Sequence, residues 1–65
     1  MVKPDKKLGE KMKALRLERE MTQPQAALMF RISLSTLVRL EMGGGCSDLT
    51  RAKIEKVLNQ YSVAA

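Results

Sequence analysis

A chain of 65 residues holds one domain, and its core is thin, because so small a domain buries only ~60% of the surface its unfolded chain exposes. With no histidine and a single cysteine, Cys46, it has no internal disulfide, no zinc-ligand set and no Cys–His pair, and its seven carboxylates read as solvated surface, so the composition argues against an enzyme, a metal centre or a disulfide scaffold. Twelve basic against seven acidic side chains leave a net charge of +5, which favours a polyanionic partner, nucleic acid before anionic lipid. The alternative is that the charge serves only solubility.

In chain order, helix signals dominate. Asp5 follows Pro4 and is placed to cap a first helix over about Lys6 to Arg19, with Leu8, Met12 and Leu15 as its apolar stripe and Leu17 on the opposite side. Thr22 and Gln25 form a capping box that opens a second helix, Pro24 sits harmlessly in its first turn, and Met21 can pack back on Ala26. Ala26, Ala27 and Phe30 make the inner face, and the two alanines let a neighbouring helix come close. Ser33 caps a third helix over about Leu34 to Met42, with Leu37 and Leu40 inward and Ser35, Arg39 and Met42 on another face. Gly43, Gly44 and Gly45 end it. A fourth helix starts near Ser47 or Asp48, with Ile54, Val57, Leu58 and Tyr61 as its stripe. The expectation is an all-α domain spanning 1–65 with its core at about 6–60. No apolar run is long enough to span a membrane, and no signal-peptide pattern follows the N-terminal lysines, so a cytoplasmic location is expected, on the nucleoid when bound to DNA.

Two short helices joined by three or four residues, with small residues where they cross, make a helix-turn-helix, whose second helix can enter the major groove of duplex DNA. The stretch LGEKMKALRLEREMTQPQAALMFRISLSTLVRLEMGG also resembles the phage repressor and Cro-type (XRE) family. The matching positions are Met21-Thr22-Gln23, Ala27, Ser33 to Leu37, and Glu41-Met42-Gly43, and the likeness covers roughly Leu8 to Leu58. It implies a compact lambda-repressor-like fold of four helices, five if the tail adds one. It also implies a DNA-binding set of Thr22, Gln23, Arg31, Ser33, Leu34, Ser35, Thr36, Arg39 and Gly43. Within that set the resemblance puts the Gln23 side chain on a phosphate, Ser33 and Thr36 on phosphate or sugar, and Leu34, Ser35 and Arg39 on base edges. Arg39 would grip guanine O6 and N7, and Leu34 a thymine methyl. Arg16 and Glu41 match a family ion pair tying the first helix to the third, and losing one partner of such a pair, if buried, costs ~3–5 kcal/mol.

The implied function is a sequence-specific transcriptional regulator, a repressor in the first instance, acting on operator DNA as a homodimer, with no catalytic residue, cofactor or metal. The alternative is an antitoxin or adaptor that uses the same fold to grip a toxin or other protein through Leu17, Val38 and Met42. The chain departs from the family pattern in three places. Arg31 stands where the turn usually has glycine, and a left-handed non-glycine residue costs ~1–2 kcal/mol. Glu20 replaces a usual glycine after the first helix. The tail from Tyr61 to Ala65 replaces a fifth helix, and its alternation of Tyr61 and Val63 around Ser62 suits either a short dimerisation strand or a disordered end.

Overall fold

The structure, a computed structural model, describes residues 4–62. It contains four helices, α1 (Lys6–Glu18), α2 (Gln23–Phe30), α3 (Leu34–Glu41) and α4 (Asp48–Ser62), and no strand among the described residues. The all-α expectation therefore holds: α1 and α3 start where expected and end one residue short of their expected ends, and α2 opens directly after its expected Thr22 cap. An isolated antiparallel bridge joins Pro4 to Gly45, and the Asp5 N–H donates to the Gly44 carbonyl at 3.2 Å, so the N-terminal segment is fastened to the glycine loop.

Local chemistry starts each helix as the side chains dictate. The Asp5 carboxylate accepts from the Leu8 N–H at 3.1 Å and opens α1. At α2 both halves of the capping box form: the Thr22 hydroxyl accepts from the Gln25 N–H, and the Gln25 amide oxygen accepts from the Thr22 N–H at 2.9 Å. The Ser33 hydroxyl accepts from the Thr36 N–H at 3.2 Å and opens α3.

The ends of α1, α2 and α3 share one device. In each, the left-handed residue at the end donates to the carbonyl three positions back, and the next residue donates to the carbonyl five positions back, the Schellman arrangement. The pairs are Glu20 to Leu17 and Met21 to Arg16, then Arg31 to Leu28 and Ile32 to Ala27, then Gly43 to Leu40 and Gly44 to Arg39. This closure needs a left-handed residue, and φ is +54° at Glu20, +60° at Arg31 and +96° at Gly43. Only the third position is glycine. The turn between α2 and α3 is therefore left-handed at Arg31, and Glu20 adopts the same conformation.

The core is Leu8, Met12, Ala26, Ala27, Phe30, Leu37, Leu40, Ile54 and Leu58, drawn from all four helices. Helices α1 and α2 each pack on α3 and α4. Ala26 and Ala27 are buried in the α2 face, and a second close approach lies at Gly9, where an added Cβ would overlap the Leu40 carbonyl. Glycine there brings the α1 and α3 backbones together, a signal absent from the apolar stripe of α1.

The tail differs from the expectation in part. Helix α4 continues through Ser62, so Tyr61 and Ser62 are helical and not the start of a strand. The Arg19 guanidinium lies 4.1 Å from the Tyr61 ring centre and holds the end of α4 near that of α1. The remainder of the expected tail, 63–65, lies outside the described residues.

Candidate nucleic-acid interface

Two eight-residue helices, α2 and α3, are joined by Arg31, Ile32 and Ser33. Ile32, following the left-handed Arg31, packs against the core and fixes the angle at which the chain enters α3. Leu37 and Leu40 are fully buried, while Ser33, Leu34, Ser35 and Arg39 are exposed and Thr36 and Val38 are half-buried. The helix is thus anchored by one side and leaves the other open. Leu34, Ser35, Val38, Arg39, Met42 and Gly44 line a single shallow groove on that open side. The stem of Arg39 lies across Gly44, where a Cβ would come within 2.6 Å of the Arg39 Cγ, so the missing side chain makes room for the arginine.

The α2 start is built around Glu41. Its carboxylate accepts from Arg16 Nε at 2.8 Å and Nη2 at 3.0 Å, a two-pronged pair, and from the Gln23 amide nitrogen at 3.2 Å. Arg16 Nη1 donates onward to the Met21 carbonyl at 3.2 Å. The side chains of Arg16 and Glu41 are 13% and 4% exposed, which makes this a shielded link between α1, the α2 start and α3. Gln23 has one amide hydrogen committed to Glu41 rather than wholly free for a phosphate. Its second amide hydrogen and its oxygen remain for an outside group. Thr22 is exposed beside it with its hydroxyl serving the cap. Ser33 and Thr36 hold each other, hydroxyl to hydroxyl, at 2.8 Å.

The residues assigned to DNA by resemblance therefore fall into separate groups. Leu34, Ser35 and Arg39 share the α3 groove, whereas Gly43 is not among its lining residues and has the Lys6 stem against it. Arg31 is not in that groove. It lines another, between α2 and α4, with Lys53 and Lys56. Arg31 thus joins a cationic cluster on α4 that sequence reasoning did not single out, because those lysines lie far along the chain.

One sequence signal acquires its meaning only with this geometry. From Met21 to Leu40 there is no acidic residue, and the charged side chains in that span are Arg31 and Arg39. Glu41, just beyond, is matched by Arg16. The outer surface of α3 therefore carries an unopposed cation.

Among the described residues no three His, Cys, Asp or Glu side chains form a metal-holding group, and no helix is long and apolar enough to cross a membrane. Cys46 is half-buried near the glycine loop. Its thiol is pushed up from the ordinary value chiefly by burial, with Arg51 pulling the other way. Comparison of the chain with protein-family profiles, with curated proteins and with solved structures finds no match.

Proposed function

We propose that this chain is a sequence-specific DNA-binding regulator that lays α3 in the major groove of an operator and represses by occupying it. The observation that supports this most is the open side of α3. Leu37 and Leu40 bolt the helix to the core, Ser35 and Arg39 point outward, and no acid lies on the α2–α3 unit before the matched Glu41. A helix so presented has the width the major groove admits, and Arg39 has the two-pronged donor geometry that guanine O6 and N7 accept. The net charge of +5 supplies attraction to phosphates without regard to sequence. Gln23, at the α2 start, adds an amide donor beside the N–H groups that favour an anion there. Two copies on a near-palindrome would place two such helices one DNA turn apart, and linkage of the two contacts raises affinity.

The testing experiment is selection of bound duplexes from random DNA, followed by titration of the selected site against a scrambled duplex at fixed salt. A specific site should bind at least 10³-fold more tightly than scrambled DNA. Equal affinities reject the proposal.

A second reading, an antitoxin or adaptor module, draws on the apolar content of the same surface. Leu34 is 44% and Met42 82% exposed, and Val38 stands between them. Under that reading the stripe docks a protein. A stoichiometric protein complex without salt-sensitive DNA binding would favour it over the first.

A further inference from the structure

The open side of α3 offers few hydrogen-bonding groups. Leu34, Val38 and Met42 succeed one another at intervals of four residues, and with Ser35, Arg39 and Gly44 they line one groove. Ser35 and Arg39 bring the only polar side chains to it. Glu41, the remaining long polar side chain on this helix, is consumed by Arg16 and Gln23. Resting on the DNA-binding reading above, we infer that α3 reads its half-site chiefly through thymine methyl groups, set beside one guanine held by Arg39.

The chemistry of the major groove leads there. Guanine, cytosine and adenine present donors and acceptors along that edge, and only thymine adds an apolar group, its 5-methyl. An apolar stripe pressed on any other base leaves that base's polar edge without a partner, which is costly when water is excluded. The stripe therefore favours thymine by attraction and disfavours the other bases by desolvation. Spacing narrows the pattern. Four residues of helix advance ~6 Å at ~1.5 Å each, and base pairs advance ~3.4 Å, so successive stripe residues meet base pairs about two apart. Charge fits the same occupant. The groove holds a cation, Arg39, and no acid, which suits an edge flanked by phosphates.

The test uses the duplex selected by the full chain and a second copy in which the thymines facing α3 are replaced by deoxyuridine. This change keeps every base pair and removes only the methyl. Fluorescence anisotropy at one salt concentration compares the two. Each lost methyl should weaken binding about fourfold, as burial of one methylene-sized group implies. The Leu34→Ala variant, altered at an exposed position, should bind both duplexes more weakly and shrink the difference between them. Its dependence on salt should stay that of the parent. Equal affinity of the parent for the thymine and uracil duplexes overturns the methyl inference while leaving the DNA-binding proposal in place. Absence of any selected duplex overturns both, and the apolar stripe then falls to the protein-docking reading.

Discussion

Two helices of this domain end on a left-handed residue that is not glycine, and replacing each with glycine should stabilise the fold. Arg31 has φ +60° and Glu20 has φ +54°, each at the position where Gly43 closes α3. A side chain in that conformation costs ~1–2 kcal/mol. Glycine removes this cost but gives the unfolded chain more freedom, a loss of ~0.5–1 kcal/mol. The net gain is about 0.5–1 kcal/mol for each of Arg31→Gly and Glu20→Gly. At ~2.1 cal/mol/K per residue, a chain of 65 residues unfolds with an entropy of ~0.14 kcal/mol/K, so each change should raise Tm by about 4–7 °C. The assay is thermal unfolding followed by circular dichroism at 222 nm. The two substitutions alter charge in opposite directions, since one removes a cation and the other an anion. A backbone cause therefore predicts rises in both, whereas a charge effect predicts opposite signs. A fall in Tm for both would refute the reasoning. Gly43→Ala is the converse control and should lower Tm.

Removing Glu41 should strip the partly shielded Arg16 of its partner and cost about 3 kcal/mol, the low end for a buried pair because the Arg16 side chain stays 13% exposed, against a total of roughly 3–10 kcal/mol for a domain of this length. Urea titration of Glu41→Ala should show much of the stability lost, whereas Arg16→Met with Glu41→Leu should lose far less, and equal losses would deny that the pair is shielded from water. Gly9→Ala should destabilise by about 3 kcal/mol, the upper end of ordinary overpacking, because the added carbon meets the Leu40 backbone rather than a side chain that can turn away. A neutral result in the same titration would mean that α1 and α3 are not in backbone contact there. Because burial raises the Cys46 thiol above its ordinary value, less thiolate is present at any given pH. The pH–rate curve for its alkylation by iodoacetamide should therefore lie to the alkaline side of that of a cysteine peptide, and a curve on the acid side contradicts the burial.

Much of the fold was legible in the sequence because it is written in short-range chemistry. Thr22 with Gln25, Ser33 with Thr36 and Asp5 with Leu8 are interactions across three residues, and all of them form. The inward stripe of each helix was likewise visible as spacing, from Leu8 and Met12 to Ile54 and Leu58. What escaped was set by tertiary contact. Gly9 carries no side chain to join a periodic stripe, so its role at the α1–α3 crossing emerged only when the helices were assembled. The commitment of Gln23 to Glu41 joins residues 18 apart, and the grouping of Arg31 with Lys53 and Lys56 arises from packing of α2 against α4. Tyr61 reads both as the last residue of the α4 stripe and as the start of a strand, because alternation across three residues suits a strand end and a helix end alike; α4 runs through it to Ser62. The candidate site divides in the same way. Which residues of α3 point outward follows from its periodicity, whereas the clearing of Glu41 from that surface depends on a partner 25 positions away.

The account rests on α3 reading DNA, and a binding titration of the parent chain and Arg39→Ala on a duplex selected from random sequence tests it most directly. The parent should prefer the selected duplex over a scrambled one by at least 10³-fold, and Arg39→Ala should lose ~1–3 kcal/mol and its preference at a single base position. Equal binding of both duplexes by the parent would contradict the account at its centre.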